Sequence, residues 1–313
     1  MLSPRLKERI LQKKAQLDAL RPLPSAVLAR LNKQLIIEWT YNSNAIEGNT
    51  LTLRETQMVL ELGITIGGKS LREHFEVINH REAIALVEDL ARQQTPITAT
   101  DIRQLHALVL ANIDDDNAGQ YRQQPVRIVG SKHEPPPAWQ LNAEIHDWLQ
   151  WLATQETTMA TVELAAVAHH KLLAIHPFID GNGRTARLLM NLLLLRDGYP
   201  PAVISRVNRK GYYQALAAAD NNRPTSLVNL VGRAVEQSLD LFLEAGTPQT
   251  APPQVDEEWL LLRDAAQFVP YSQEYLSLLA RTGRLEARKH GRNWYTTRRA
   301  LNTYLDSLED PSP

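Results

Sequence analysis

Apolar residues recur at three- to four-residue intervals over most of the chain, and this periodicity restricts the fold more than any other feature. Over residues 72–93 the apolar stripe consists of Phe75, Ile78, Ala83, Leu86 and Leu90. This spacing predicts one long amphipathic helix. Similar patterns predict further helices over about 5–20, 25–47, 139–152, 161–175, 183–196, 212–219 and 227–243. Another helix is predicted to start near Leu53, and one more runs to Leu110 with Thr100 or Asp101 as its N-cap. The predicted body is therefore all-α.

One segment departs from this helical pattern. Between residues 120 and 138, the apolar residues Tyr121, Val126 and Ile128 precede Gly130, and three prolines follow at 135–137. Alternating residues around a glycine turn predict a short β-hairpin, which would form a flap on the helical body.

The composition excludes several classes of protein. The 313 residues are 43% hydrophobic and 22% charged, as expected for a globular chain with a sizeable core. The absence of cysteine excludes disulfides, thiolate metal sites and a cysteine nucleophile. Because the formal net charge is only −1, any basic surface must be local.

The sequence predicts no membrane partner. Its N-terminal residues are polar and basic without an apolar core, so we expect no signal peptide. The most apolar run, 188–195, is too short to cross a bilayer. We therefore expect the protein to be cytoplasmic.

Changes in composition predict four regions along the chain. Residues 246–256 are rich in Pro, Thr and Gln, which is typical of a linker. This linker would separate an N-terminal helical region (1–110) and a helical core (111–245) from a small C-terminal module (257–313).

The residues HPFIDGNGRTAR, at 176–187, lie between two apolar helices. They therefore predict a loop that runs into the N-terminus of a helix, where unpaired N–H groups and the positive end of the helix dipole are exposed. Gly181 and Gly183 allow tight turns and close approach of the backbone to a ligand. Such a loop favours the binding of phosphate groups.

The other side chains of this stretch match phosphate chemistry. Asp180 is a hard oxygen ligand of the kind that holds Mg²⁺ beside phosphates. Arg184 and Arg187 are three residues apart, so they share a helix face and can bind phosphate oxygens. His176 can act as a general base, and Phe178 would anchor the loop in the core. Taken singly, each feature has another interpretation: a structural histidine, a simple turn at the glycines, or arginines on a solvated helix face.

The stretch resembles the Fic family signature HPFx[DE]GNGRxxR without a departure, and the resemblance extends over about 30–243. It implies an all-α bundle with a small β-hairpin flap, with His176 as the base and Asp180 on Mg²⁺. It also implies an ATP-binding set: Asp180, Gly181, Asn182, Gly183, Arg184, Thr185 and Arg187. A related toxin branch that phosphorylates its target carries lysine where Gly183 stands here, so AMP transfer is favoured.

Two further segments match the same family. The flap that covers the nucleotide corresponds to Val129, Gly130, Ser131 and Lys132, and the region that contacts adenosine corresponds to Tyr212 and Asp220. A plain surface hairpin and a core aromatic residue are the respective alternatives.

Residues 43–49 resemble the inhibitory motif of the family, [ST]xxxE[GN], filled here by Ser43, Glu47 and Gly48. Gly48 is a plausible helix stop, so Glu47 falls at a helix C-terminus, where a carboxylate opposes the dipole and needs a cation. The resemblance implies that Glu47 pairs with Arg187 and so obstructs productive ATP binding. A solvated acid at a helix end is the alternative.

The C-terminal module resembles winged helix-turn-helix domains. Two helices are predicted over 260–268 and 272–281, and a hairpin over 285–296 with Gly291 in its turn. The segment from Arg281 to Arg299 contains seven Lys or Arg residues and only one acidic residue, Glu286. Such a patch favours DNA binding, and a docking or homodimerisation domain is the alternative.

These observations predict an autoinhibited enzyme that moves AMP from Mg-ATP to a Ser, Thr or Tyr hydroxyl of a protein. The alternatives are removal of AMP, transfer of another nucleotide, and a DNA-binding regulator whose helical core senses a ligand.

Overall fold

The computed structural model describes residues 1–128, 130–246, 259–291 and 293–309. The chain divides into two compact units, Met1–Thr247 and Pro248–Pro313. The predicted linker, 246–256, lies outside the described residues except for Gly246. Within those ranges, every helix is too short or too polar to cross a membrane.

The first unit is all-α, as predicted. Its ten α-helices are α1 (Pro4–Ala19), α2 (Ser25–Ile46), α3 (Leu53–Leu62), α4 (Leu71–Gln93), α5 (Ala99–Leu110), α6 (Leu141–Gln155), α7 (Thr161–Ile175), α8 (Asn182–Arg196), α9 (Arg209–Asp220) and α10 (Thr225–Gly246). Short 3-10 turns at Ala138–Gln140 and Arg206–Asn208 precede α6 and α9.

Helix α8 lies at the centre of this unit. It packs against α7, α4 and α5, and nearly all of its residues are buried. A helix that is apolar around most of its circumference must be enclosed by others. The run of leucines that follows the motif therefore fixes the motif at the middle of the bundle.

The long helix α4 forms as predicted, but its buried face is shifted. Val77, Ile84 and Val87 are buried, whereas Ile78 is 37% exposed. Helix α4 contacts α2, α5 and α8 at once, so burial includes the polar side chains His74 and His80. The stripe predicted through Ile78 is wrong at that residue because several neighbours, rather than one, define the buried face.

Helix α5 starts slightly earlier than its predicted cap. Thr98 accepts a hydrogen bond from the Asp101 N–H at 3.2 Å, and the Asp101 carboxylate accepts one from the Thr98 N–H at 2.7 Å. This reciprocal capping box makes Thr98 the cap and places Asp101 in the first turn.

The predicted flap contains a turn but no paired strands among the described residues from 120 to 128 and 130 to 138. The Ser131 N–H donates to the Ile128 carbonyl at 3.1 Å across Gly130, whose φ is +82°. The hairpin prediction is corrected here to an unpaired turn. Three consecutive prolines cannot donate backbone hydrogen bonds, and the Arg122 side chain instead holds both arms, at Gln124 O and Pro136 O.

The second unit combines short helices with a small sheet. Its elements are β1 (Leu260–Leu261), α11 (Leu262–Ala265), a 3-10 turn (Ala266–Phe268), α12 (Gln273–Arg281), β2 (Ala287–His290), β3 (Asn293–Thr296) and α13 (Arg298–Glu309). The sheet is antiparallel with the order β1-β3-β2.

Two details of this second unit differ from the sequence prediction. Leu260 pairs with Thr296 as a strand instead of starting a helix, and α13 was not predicted. A strand of two residues is too short to show an alternating pattern, and its pairing partners, Tyr295 and Thr296, come much later in the sequence. Buried Leu301 and Tyr304 from α13 complete a core with Leu276 and Leu285.

Candidate active site

Helix α7 ends at Ile175, and the next residue takes the left-handed conformation, with φ +49° at His176. The chain then turns inward at Phe178, which is fully buried, before α8 starts at Asn182. The predicted loop-to-helix junction is therefore present, and it lies at the N-terminus of the central helix.

The loop is held in place by a buried histidine of α5, His106, which was not predicted from the sequence. The His106 ring stacks on Phe178 with 3.6 Å between centroids, and its Nε2 lies 2.9 Å from the Asp180 carbonyl oxygen. The Gly119 N–H donates to His106 Nδ1 at 3.0 Å, so Nε2 carries the proton. Burial lowers the pKa of His106 to about 4, and the ring is neutral. The sequence signal that could have identified His106 was its position on the apolar face of the predicted helix that ends at Leu110.

Asn182 and Gly181 shape the start of α8. Both ends of the Asn182 amide bind the Phe178 backbone, at 3.0 and 2.8 Å. Its side chain therefore braces the loop and is already occupied. Gly181 has φ +75° and lies against the His106 ring, so a side chain there would be strained and crowded.

His176 is oriented as a base. Its Nδ1 lies 3.3 Å from the Leu173 carbonyl oxygen, so Nδ1 donates and Nε2 keeps its lone pair. Arg122 donates to the His176 carbonyl at 2.8 Å and fixes the backbone. Burial lowers the pKa of His176, with a smaller contribution from Arg122, whereas Glu47 raises it. The imidazole is therefore neutral and able to accept a proton near neutral pH.

Asp180, the predicted metal ligand, contacts cations from two helices. Arg72 of α4 lies 2.5 Å from its Oδ2, and Arg184 lies 3.4 Å from its Oδ1. Burial opposes ionisation, but Arg184 and the Gly181 N–H lower the pKa of Asp180 on balance. Arg72 and Glu76, which lies 3.5 Å from Arg184 Nη1, were missed by the sequence analysis because they come from a distant segment.

Arg184 and Thr185 carry buried polar atoms that lack hydrogen bonds. The Arg184 side chain is 3% exposed, and its Nε and Nη1 have no hydrogen-bond partner in the part of the chain that the structure describes. The same holds for the Thr185 hydroxyl. Buried donors without a hydrogen bond are rare, and these belong to two successive residues in the first turn of α8, where anions bind; the nearest acid noted above, Glu76, lies 3.5 Å from Nη1. This arrangement is suited to a phosphate group.

Arg187 is held by α2. Its Nη2 lies 2.8 Å from Glu47 Oε1 and donates to the Ser43 carbonyl at 2.8 Å. Its Nε donates to Ser43 Oγ at 3.1 Å. Burial opposes the charge of Arg187, but Glu47 and Tyr212 raise its pKa on balance. The guanidinium is therefore charged and already occupied by protein acceptors.

Gly183 lies against the Glu47 carboxylate, and Gly48 follows Glu47 in the sequence. A Cβ placed on Gly183 would overlap the Glu47 side chain, and Gly48, which follows the helix end, has φ +108°. Any side chain at position 183 would displace the carboxylate from its position beside Arg187.

The two adjacent tyrosines on α9 have different positions. Tyr212 is 1% exposed, and its hydroxyl lies 2.9 Å from His169 Nε2 and 3.5 Å from Arg187 Nη1. Tyr213 is 40% exposed. The contact of Tyr212 with adenosine stays a prediction, and of the two tyrosines Tyr213 presents the more accessible ring. Adjacent residues on a helix point about 100° apart, so only packing decides which one faces the core.

The flap is attached to α9 and α7. Ser131 donates to Asp220 Oδ2 at 3.2 Å, and His170 Nε2 lies 2.8 Å from Asp220 Oδ1. His133 Nε2 lies 2.8 Å from the Ala174 carbonyl oxygen. Lys132 is exposed, and Val129 lies outside the described residues. Asp220 and Ser131 are thus adjacent, and their contact with a nucleotide stays a prediction.

No group of three or more His, Cys, Asp or Glu side chains able to hold a metal is found within the described ranges. A metal bound by Asp180 would need most of its ligands from elsewhere. Mg²⁺ commonly binds in this way, through one or two carboxylates together with waters and substrate phosphates.

The chain is similar to known proteins over most of the first unit. Residues 96–194 match the family model described as "Fic/DOC family". A curated protein adenylyltransferase Fic of Drosophila yakuba is 38% identical over 262 residues, which cover 81% of this chain and 52% of that protein.

Solved structures give the same result. Fic-1 (residues 134–508) of C. elegans is 34% identical with a TM-score of 0.70, and the match covers 77% of this chain and 72% of that one. A Fic domain-containing signalling protein of Bacteroides thetaiotaomicron is 29% identical with a TM-score of 0.72, and the match covers 78% of this chain and 99% of that one. These matches show that the chain belongs to the Fic family. It spans about half the length of the curated relatives it matches.

Proposed function

We propose that this protein transfers AMP from Mg-ATP to a Ser, Thr or Tyr hydroxyl of a protein and that Glu47 holds it in an inhibited state. The observation that carries the proposal is the combination of a neutral His176 in the loop that leads into α8 and a buried Arg184 in the first turn of α8, whose Nε and Nη1 have no hydrogen-bond partner among the described residues. Similarity to proteins named adenylyltransferase supports the same activity.

The residues around α8 fit the phosphates of ATP. Arg184 Nε and Nη1, the Thr185 hydroxyl and the open N–H groups of the first turn all lie at one helix end. Donors fixed in advance stabilise charge without reorganisation, which is the main source of catalysis in transfers of this kind. Asp180 would hold Mg²⁺, which supplies charge neutralisation between the phosphates when it is bound.

His176 would receive the proton of the target hydroxyl at Nε2, because Nδ1 is committed to Leu173. The hydroxyl oxygen then bonds to the α-phosphorus of ATP while the bond from this phosphorus to the β-bridging oxygen breaks. The products are the AMP ester of the target and pyrophosphate, whose negative charge Arg184 and Arg187 would stabilise.

Inhibition follows from the contacts of Arg187. Its guanidinium already binds Glu47 and Ser43, and Glu47 places a negative charge beside the phosphate-binding end of α8. A polyphosphate entering this site would meet both repulsion and an occupied cation. Removing the Glu47 side chain would free Arg187 while leaving its bonds to Ser43.

The test is AMP incorporation from labelled ATP in a cell lysate, with the modified protein identified by mass spectrometry. We expect Glu47→Gly to exceed the native chain by about 10- to 100-fold, since hydrogen bonds between charged groups are worth about 1.5–3 kcal/mol. Adding His176→Ala to that variant should reduce transfer by about 10²–10⁴-fold.

Each outcome has a defined meaning. Equal activity of the native chain and Glu47→Gly contradicts inhibition by Glu47. Loss of AMP from a modified protein, or addition of another nucleotide, supports the alternative chemistries. No change in any lysate protein, with ATP binding intact, contradicts the proposed transfer.

A further inference from the structure

An arginine that lies outside both the 176–187 motif and the 43–49 motif contacts Asp180. Arg72 lies in the first turn of α4, and its Nη2 lies 2.5 Å from Asp180 Oδ2, although the two residues are 108 positions apart in the sequence. The other Asp180 oxygen accepts from the Gly181 N–H at 2.6 Å. Both oxygens of the carboxylate that would hold Mg²⁺ are therefore engaged by the protein itself.

A guanidinium and a divalent cation compete for the same carboxylate oxygen. They also repel each other at short range, so a metal bound to Oδ2 is opposed while Arg72 stays in place. Glu76 offsets the charge only in part, because it contacts Arg72 at 3.3 Å, Arg184 at 3.5 Å and the amide of Asn49 at 2.8 Å.

Arg72 differs from the motif arginines in its freedom to move. Its side chain is 56% exposed, whereas the side chains of Arg184 and Arg187 are each 3% exposed. An exposed arginine can turn into solvent at little cost, since exposed ion pairs contribute little free energy. Arg72 is thus able to leave Asp180 when a stronger cation arrives.

We propose that Arg72 is a resident counter-ion of Asp180 that weakens divalent-cation binding until Mg-ATP displaces it. It is a positioning residue, since it acts through Asp180. The proposal rests on the proposed function for the assignment of Asp180 as the metal ligand. It adds a second restraint on the site, which shares no contact partner with the Glu47–Arg187 pair among the described residues.

The test measures how much Mg²⁺ strengthens nucleotide binding. Calorimetry would give the Kd of a non-hydrolysable ATP analogue in EDTA and at a series of Mg²⁺ concentrations, with the full chain carrying Glu47→Gly. The quantity compared is the Kd in EDTA divided by the Kd at the highest Mg²⁺ concentration. We expect Arg72→Gln to increase this ratio by about two- to fivefold, the range set by an exposed ion pair. Arg72→Lys keeps the charge and should leave the ratio near that of Arg72.

Arg81→Gln is the matched control, because Arg81 is an exposed arginine of α4 that pairs with Glu82 away from the site. A thermal melt verifies that each variant is folded. An unchanged or smaller ratio in Arg72→Gln overturns the proposal, and a smaller ratio would show that Arg72 helps to hold the loaded site. This readout requires no turnover, so failure of AMP transfer and failure of this proposal are distinguishable.

Discussion

The two motif arginines of the first unit and the arginines of the basic patch in the second unit differ in burial. In the first unit, Arg184 and Arg187 have side chains only 3% exposed, and each lies beside a carboxylate. In the second unit, Arg281, Arg284 and Arg288 are exposed, and none forms an ion pair with a carboxylate among the described residues. Arg288 instead lies over the Trp259 ring, 4.6 Å from its centre.

This difference shows how burial changes what a cation can do. A buried guanidinium needs an acceptor to offset its lost hydration, so it is held in one geometry and can be blocked by the acid that pairs with it. Exposed arginines keep their hydration and act through a collective field that is sensitive to salt. The first arrangement suits one phosphate chain in one orientation, and the second suits a repeated phosphate backbone.

The largest effect that tests this comparison is expected at the buried arginine. Arg187→Ala in the Glu47→Gly chain should lower AMP transfer by about 100- to 1000-fold, because it removes a fixed donor from the transition state. The measurement is initial rate at saturating acceptor, with the melting temperature recorded in parallel. The exposed Arg81→Ala is the control, and equal rates for both variants would contradict a special role for burial.

A smaller effect is expected at the exposed arginines. We propose that the second unit binds duplex DNA, with log K falling against log salt at a slope near −0.9Z. About four phosphate contacts would weaken binding about 100-fold between 50 and 200 mM salt. Fluorescence titration of the full chain with mixed duplex DNA measures the slope.

Charge reversal at Arg288 and Lys289 should flatten that salt slope and leave AMP transfer unchanged. The same reversal at Lys7, an exposed residue of α1, provides the control. Absence of binding at low salt would favour a docking or dimerisation role for the second unit.

The smallest effect concerns the acid limb of the pH profile. Burial lowers the pKa of His176, so the neutral base persists below pH 6.5 and kcat/KM at that pH should exceed half of its plateau. Glu47 raises this pKa, so the acid limb of Glu47→Gly should move to lower pH. Near the midpoint of the limb, we expect this shift to change the relative rate by about twofold. Glu47→Gln, which removes only the charge, should share that limb. A midpoint at or above pH 6.5 would show that burial does not set the proton affinity.

Much of the helical body was predictable because its signals are local. Thr161–Ile175 coincides with the predicted helix, and the motif at 176–187 forms the predicted junction. The buried face of each helix and the pairing of very short strands were less predictable. Ile78 is exposed although it fits a helical stripe, and Leu260 pairs with a strand that comes much later in the chain.

The arrangement of much of the candidate site was predictable from one contiguous stretch. His176, Asp180 and Arg187 stand within twelve residues, so their spacing on a loop and a helix follows from backbone geometry alone. The same holds for Ser43 and Glu47, which lie one turn apart on α2 and meet Arg187 on the same side.

Only the tertiary structure decided which distant residues complete that stretch. Packing of α4 and α5 against α8 brings Arg72 to Asp180 and His106 beneath Phe178, and packing of α9 buries Tyr212 while leaving Tyr213 exposed. Local sequence specifies which side chains a helix carries and how they are spaced around it. The rotation of each helix against its neighbours depends on the burial of the whole core, so these contacts exist only once the bundle has formed.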